Sequence, residues 1–79
     1  AIAYAKDGIR VNAVAPGWIS TPLLEPLKES LGAGILARTP ANRFGEPEEI
    51  AQVVAFLSSP AGSFITGAIL PIDGGYSVI

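Results

Sequence analysis

The stretch IRVNAVAPGWIST, residues 9–21, determines how the rest of this sequence is interpreted. In residues 9–15 a β-branched run alternates between two sets of side chains, which predicts a strand. A Pro-Gly pair then ends the run abruptly, so a loop follows. Because open α/β sheets bind their ligands beyond the carboxyl ends of the strands, this corner and the polar Ser20 and Thr21 behind it are the first candidate site.

Length and composition indicate one small domain or a part of one. A chain of 79 residues buries only about 60% of its unfolded surface, so its own core would be marginal. Yet 49% of the residues are hydrophobic and only 15% are charged. That is more apolar surface than a small monomer hides. We therefore expect part of it to meet another chain.

The composition of the sequence excludes several classes of function. The net charge is −2 and the five basic residues are scattered, so no nucleic-acid partner is expected. The sequence has no cysteine and no histidine, which excludes disulfides, thiolate nucleophiles and zinc sites of the Cys/His kind. No apolar run approaches the roughly 20 residues that cross a bilayer. We expect a soluble, cytoplasmic protein with no membrane partner, cut from a longer chain.

The segments around the strand predict helices. Residues 1–6 have the pattern of a helix tail that stops at Gly8. Thr21 or Ser20 is expected to cap a helix with proline in its first turn. Residues 23–35 have apolar positions at helical spacing, and Pro26 and a Gly-Ala-Gly triplet are expected to break them into two short helices. This segment is either a mobile lid or a surface helix that covers the core.

The second half of the chain predicts one long helix and one short strand. Residues 46–58 begin with proline and three carboxylates and are apolar on more than one side, so we expect this helix to be buried both against a sheet and against a partner. Residues 68–72 read as a strand that ends in a sharp Asp-Gly-Gly turn. Because Pro71 cannot donate to a ladder, the strand lies at an edge or pairs on one side.

The side chains taken alone name no reaction. The carboxylates of Glu46, Glu48 and Glu49 could suggest a metal or an acid/base pair, but the helix dipole explains them, and we expect no metal site. Tyr4 and Lys6 are two residues apart and cannot form a Tyr-x-x-x-Lys pair on a helix. Arg10 and Asn12 share one face of the strand and are expected to satisfy local hydrogen bonds. No glycine-rich phosphate loop is present.

The order and spacing of several motifs nevertheless resemble a known family, the short-chain dehydrogenases/reductases, in the carboxyl-terminal third of its members and most closely in the tropinone-reductase-like branch. The matching motifs are DGIRVNAVAPG at 7–17, TP at 21–22, RFGEPEEIA at 43–51, FLSS at 56–59, ITG at 65–67 and DGG at 73–75. The resemblance implies an α/β fold. It would be the end of a Rossmann-like doubly wound parallel sheet, with two strands, one long helix and lid helices, completed by oligomerisation.

The resemblance also implies a cofactor site for NAD or NADP. Residues 1–79 would be the carboxyl-terminal segment of the dinucleotide-binding oxidoreductase domain. The main chain at Pro16 and Gly17 would lie beside the nicotinamide. The Ile19 backbone would meet the carboxamide, and the Thr21 hydroxyl would reach the carboxamide or the pyrophosphate. Residues 22–43 would form a lid over a small-molecule substrate. The helix at 46–58 and the strand at 68–72 would form the interface of a homo-oligomer.

The family's phosphate loop and its catalytic Ser, Tyr-x-x-x-Lys and Asn have no counterpart in these 79 residues. Hydride transfer to a carbonyl needs a proton donor near the oxygen, so we expect no catalytic residue here and no activity from this chain alone. One hypothesis is that the chain is a part of an NAD(P)(H)-dependent oxidoreductase. The alternative is a non-catalytic, self-assembling interaction module derived from the same family.

Overall fold

A computed structural model of the chain describes residues 1–78. Two strands and two α-helices follow one another as β1 (Ala13–Pro16), α1 (Lys28–Ala37), α2 (Pro47–Ser58) and β2 (Ile69–Ile72). The connections contain short 3-10 helices at Ile2–Asp7, Glu25–Leu27, Pro60–Gly62 and Tyr76–Val78. In the sequence, both α-helices therefore lie between the two strands.

The strands β1 and β2 pair in parallel. Their register runs from Ala13 opposite Ile69 to Pro16 opposite Ile72. Parallel pairing brings the carboxyl ends of both strands to the same edge of the sheet. The residues that follow the strands, Gly17 and Asp73, therefore leave the sheet side by side.

Both strands are shorter than the sequence predicts. The prediction that β1 begins at Ile9 is wrong, since the ladder starts at Ala13. Upstream, Val11 is bound to a loop: its N–H donates to Thr66 Oγ1 at 3.2 Å and its carbonyl accepts the Gly67 N–H at 2.8 Å. The β-branched pattern marks an extended segment, but only part of it has a strand beside it. β2 has one neighbour in the described part of the chain, as expected for an edge strand.

The helix α2 confirms its prediction nearly to the residue. Glu46 is the N-cap in extended conformation, with φ −104° and ψ 147°, and Pro47 is the first helical residue. The Glu46 N–H donates to Glu49 Oε1 at 2.9 Å, which is one half of a capping box. The Glu49 N–H donates to the Glu46 backbone carbonyl at 2.9 Å. At the other end the Ser59 hydroxyl donates to the Phe56 carbonyl at 2.7 Å. Local sequence therefore fixes both ends.

The helix α1 corrects the predicted break at the Gly-Ala-Gly triplet. α1 runs without interruption through Gly32 and Gly34. Glycine lowers helix propensity by about 1 kcal/mol but keeps its backbone donor, so it weakens a helix without ending it. Proline removes that donor, and Pro26 does lie outside α1, in the 3-10 helix that precedes it.

The first segment forms a 3-10 helix over Ile2–Asp7 in place of the expected α-helix tail. Gly8 ends it with a φ of 75°, a left-handed conformation that glycine adopts without steric strain, and the predicted stop is confirmed. None of the helices formed by residues 1–78 is long and apolar enough to cross a bilayer.

The apolar core of the chain is very small. Among residues 1–78, Leu24 and Leu57 are the buried hydrophobic residues, at 6% and 8% exposure. The side of α2 that is expected to meet a partner is open in the chain, since Phe56 on that helix is 48% exposed. Large apolar side chains are also exposed elsewhere, at Ile2, Tyr4, Ile9, Val11, Trp18, Leu23, Leu27, Leu31, Val54, Phe64, Ile69, Leu70 and Val78. This agrees with the apolar excess in the composition.

Candidate cofactor site

A close backbone approach holds the carboxyl edge of the sheet together. The Gly17 N–H donates to the Ile72 carbonyl at 3.0 Å and so continues the ladder beyond Pro16. A Cβ on Gly17 would lie 2.6 Å from the Asp73 Cβ and 2.8 Å from its Cα. No side chain fits in that space. Glycine is required here by the closeness of the two chain segments.

The turn after β2 is fixed by Asp73. Its Oδ1 accepts the Gly75 N–H at 3.0 Å and its Oδ2 accepts the Ser77 N–H at 3.1 Å. Hydrogen bonding, first by the Ser77 side chain and then by these backbone donors, lowers the pKa of Asp73. Gly74 and Gly75 have φ of 63° and 92°, so the predicted sharp turn is confirmed. Asp73 therefore sits on a rigid turn beside Gly17.

The loop after β1 makes a second parallel contact, a bridge between Ile19 and Gly45. The Gly45 N–H donates to the Trp18 carbonyl at 3.0 Å, and the Ser20 N–H donates to the Gly45 carbonyl at 2.8 Å. In a parallel bridge the neighbours of the bridging residue make the bonds, so the N–H and C=O of Ile19 point to the opposite side. Neither has a hydrogen-bond partner within residues 1–78. Ile19 thus presents a free donor and a free acceptor.

Thr21 ends this loop and starts the next turn. Its carbonyl accepts the N–H groups of Leu24 and Glu25 at 3.0 and 3.1 Å, and its Oγ1 accepts the Leu24 N–H at 3.4 Å. The prediction that Thr21 or Ser20 caps a helix with proline in its first turn is wrong, because residues 22–24 form a turn and the 3-10 helix Glu25–Leu27 and α1 have Leu24 and Leu27 as their N-caps. The hydroxyl proton of Thr21 has no acceptor in the part of the chain that the structure describes, so it is available to donate.

Three of the four predicted site residues line one cleft. Gly17, Ile19 and Thr21 border a space of about 280 Å³. The apolar side chains of Trp18, Leu23, Leu24 and Leu27 complete its walls. Pro16 lies in a neighbouring cleft of about 420 Å³, which Gly17 also borders. The first cleft combines apolar walls with a few polar groups, which is the usual composition of a small-molecule site.

A comparison with known protein families identifies the family of the chain. The family profile described as enoyl-(acyl carrier protein) reductase matches residues 1–77. The chain belongs to the short-chain dehydrogenase/reductase family. The resemblance inferred from its motifs is confirmed.

Relatives within the short-chain dehydrogenases/reductases are similar along nearly all of the chain. A cis-4-hydroxycyclohexanecarboxylate dehydrogenase of Sinomonas cyclohexanicum is 52% identical over 79 residues, which are 100% of this chain and 32% of that protein. A tropinone reductase homologue of Arabidopsis thaliana is 52% identical over 77 residues, 95% of this chain and 30% of that protein. The chain therefore spans about a third of the length of these relatives.

Solved structures confirm the fold class. A putative 2-deoxy-D-gluconate 3-dehydrogenase from Agrobacterium tumefaciens, solved with NADP, is 44% identical with a TM-score of 0.94, over 99% of this chain and 32% of that one. A 4-hydroxyisoleucine dehydrogenase solved with NADH is 32% identical with a TM-score of 0.93, over 99% and 33%. The chain has the α/β fold of the carboxyl-terminal part of a Rossmann-like short-chain dehydrogenase/reductase.

Lys28 makes contacts near the site that the sequence analysis does not predict. Its Nζ donates to Ser20 Oγ at 2.6 Å, lies 3.2 Å from Glu25 Oε2 and stands 5.1 Å from the centre of the Phe44 ring. The three-residue spacing from Glu25 signals the ion pair on a helix. No sequence signal indicates the bond to Ser20, which attaches the start of α1 to the loop after β1.

Arg10 and Asn12 satisfy backbone groups, but these groups lie in the distant segment 65–68 and are not local as predicted. Arg10 Nη1 and Asn12 Nδ2 both donate to the Ile65 carbonyl, at 3.1 and 3.0 Å. Asn12 Oδ1 accepts the Ala68 N–H at 3.0 Å. These bonds attach the segment before β1 to the segment before β2. They stabilise the approach of the two strands.

One of the carboxylates at the start of α2, that of Glu49, has structural partners. Glu49 accepts two hydrogen bonds from the Arg43 guanidinium and one from the Glu46 N–H. Within residues 1–78 no group of three or more metal-ligating side chains occurs. The hydrogen bond from Arg43, then that from the Glu46 backbone, lowers the pKa of Glu49 from 4.5 to about 2.

Acid should remove the stabilisation that Glu49 provides. Because its folded pKa of about 2 lies below its ordinary value of 4.5, the contribution is complete above the ordinary value and is lost as the pH falls through the folded one. We expect the stability difference between the wild-type protein and Glu49→Gln to shrink towards zero from about pH 6 to about pH 2. Urea unfolding along this series measures it. A difference that stays constant would contradict the assignment.

Proposed function

We propose that this chain supplies the nicotinamide side of an NAD(P)(H)-dependent oxidoreductase that acts on a carbonyl or alcohol substrate. The observation that carries the proposal is the free N–H and C=O of Ile19 beside the cleft that Gly17 and Thr21 also line. Membership in the short-chain dehydrogenases/reductases gives the reaction class. When bound, the cofactor supplies or accepts the hydride.

The proposed contacts match the chemistry of the nicotinamide end. A carboxamide has one acceptor oxygen and an NH₂ donor, and Ile19 offers one backbone donor and one backbone acceptor. The Thr21 hydroxyl can donate to a carboxamide or a pyrophosphate oxygen. Pro16 and Gly17 carry the main chain past the apolar face of the ring. The residues present therefore fit either NAD(H) or NADP(H).

The proposal assigns the remaining segments to substrate and assembly. Residues 22–43 would close over the small-molecule substrate, and α2 together with β2 would form a homo-oligomer interface. Supporting this, Val54 on α2 is 45% exposed, and Ile69 and Leu70 on β2 are 76% and 39% exposed. Apolar surface of this extent is usually covered by a partner. The proposed location is the cytoplasm.

The same exposure supports a second candidate function. Since Leu24 and Leu57 are the buried hydrophobic residues among residues 1–78, the chain could serve as an assembling module without catalysis. Such a module would keep the apolar faces of α2 and β2 but would not bind a dinucleotide. Cofactor binding therefore distinguishes the two functions.

Isothermal titration with NADH and NADPH, combined with light scattering, tests the proposal. It is applied to the 79-residue chain and to the intact protein, meaning the longest natural chain that contains these residues. We expect the intact protein to bind one nucleotide with a micromolar Kd, about −8 kcal/mol, and to be oligomeric. An intact protein that forms a defined oligomer but binds neither nucleotide supports the module. A monodisperse monomer at high dilution counts against both functions.

A further inference from the structure

One carboxylate holds both ends of the segment that forms the Ile19 bridge. The two oxygens of Glu49 accept hydrogen bonds from Arg43 Nη1 and Nη2 at 2.8 and 2.9 Å. Oε1 also accepts the backbone N–H of Glu46 at 2.9 Å. Arg43 and Glu46 flank residues 44–45. The Glu49 carboxylate therefore fixes this two-residue segment from both sides.

Gly45 within that segment makes both hydrogen bonds of the bridge. Its N–H donates to the Trp18 carbonyl at 3.0 Å and its carbonyl accepts the Ser20 N–H at 2.8 Å. It also packs so closely that a Cβ there would lie 2.7 Å from Ile19 Cδ1. Any displacement of Gly45 would therefore turn the peptide groups on both sides of Ile19.

We propose that Glu49 is a positioning residue for the nicotinamide end of the cofactor, acting through Arg43 and Gly45 on the peptide groups of Ile19. The inference rests on the function proposed above. A bidentate Arg–carboxylate pair fixes geometry as well as charge, because two parallel bonds define the orientation of both groups. The Arg43 and Glu49 side chains are 58% and 42% exposed, so solvent reduces what the pair adds to stability. The pair still defines the position of residues 44–45, because three hydrogen bonds converge on one carboxylate.

Glu48 offers a matched control on the same helix turn. It carries the same charge next to Glu49 in the first turn of α2, so it has a similar interaction with the helix dipole. Within residues 1–78 it forms neither a salt bridge nor a side-chain hydrogen bond. Replacing Glu48 by glutamine removes a charge without touching the clamp on residues 44–45.

The experiment compares ligands with and without nicotinamide. The intact wild-type protein, Glu49→Gln and Glu48→Gln are titrated with NAD(P)H and with ADP-ribose, or with its 2′-phosphorylated form if the protein binds NADPH. Glu49→Gln removes the bidentate bond to Arg43, so the Ile19 peptide groups should no longer be held in place for the nicotinamide. We expect about tenfold weaker NAD(P)H binding in this variant. ADP-ribose affinity should stay within about twofold in the same variant. Glu48→Gln should bind both ligands like the wild type.

The outcomes separate this inference from the proposed function. A wild type that binds neither nucleotide overturns the proposed function and the inference with it. A wild type that binds NAD(P)H, with a Glu49→Gln variant that loses both ligands equally or loses neither, overturns the inference alone. If Glu49→Gln does not fold, Arg43→Lys replaces it in the same comparison, since lysine keeps the charge and removes the bidentate geometry. A selective loss of NAD(P)H in Arg43→Lys supports the inference, and an equal loss overturns it.

Discussion

Replacing Gly17 by alanine should lower the free energy of unfolding of the intact protein by about 1–3 kcal/mol, as expected for a methyl group forced into filled space. The added Cβ would lie 2.6 Å from the Asp73 Cβ and 2.8 Å from its Cα. Because one of these atoms belongs to the backbone, the two segments must separate. The loop that carries Ile19 would move with them, so NAD(P)H binding should weaken as well. Urea unfolding and isothermal titration measure the two effects.

Gly34→Ala is the control for that substitution. A Cβ on Gly34 meets no atom within 4 Å, and the residue lies inside α1. Alanine is favoured over glycine in a helix by about 1 kcal/mol, so this variant should be equally or more stable and should bind the cofactor normally. If Gly17→Ala behaved like Gly34→Ala, the close approach at the sheet edge would be wrong.

Leu57→Ala should destabilise the protein by about 2–5 kcal/mol, the range for large-to-small changes at buried sites. Leu57 is 8% exposed and lines the same cleft as Val14 of β1. It is one of the two buried hydrophobic residues among residues 1–78, so few other contacts can compensate for its loss. The unfolding midpoint in urea, at constant slope, is the measurement.

Gln52→Ala on the same helix is the control for Leu57→Ala. Gln52 is exposed, and exposed substitutions away from special features change stability by about 0.5 kcal/mol or less. Two variants of equal stability would show that α2 is not held to the sheet through Leu57.

The sequence predicted the elements whose signals are local. α2 lies where the sequence predicts it, because a proline at its start and carboxylates in its first turn act within one turn of the helix. The stop at Gly8 and the sharp turn at residues 73–75 were predicted for the same reason, since glycine alone adopts those backbone angles without strain. Each of these features depends on neighbours in sequence.

Features that depend on distant contacts were missed or misplaced. The first residue of β1 is set by where β2 begins to pair with it, and nothing in residues 9–12 shows that their partner is a loop. The continuity of α1 through Gly32 and Gly34 has a local reason instead, because glycine keeps its backbone N–H and weakens a helix without ending it. Helix and strand propensities are weak against such tertiary effects.

The cofactor role of the candidate site stays a prediction. The motif resemblance named Pro16, Gly17, Ile19 and Thr21, and three of these line one cleft. The sequence alone explained Gly17 by its position in a Pro-Gly turn, whereas the structure adds a steric reason, the backbone of Asp73. The free peptide groups of Ile19 depend on Gly45, which lies 26 positions later (19 to 45). No local pattern could indicate that pairing.

The register of the sheet also has a consequence for the order of folding. Ala13 pairs with Ile69, 56 positions later (13 to 69), so α1, α2 and the Ile19 bridge all lie inside one large closed loop. Closing such a loop has an entropic penalty that local contacts do not have, and non-local pairing of this kind folds slowly. The contact between Gly17 and Asp73 can form only after that closure. The neighbouring cleft, which Pro16 and Gly17 border together with Pro71 and Asp73, is therefore expected to be among the last parts of the chain to become ordered.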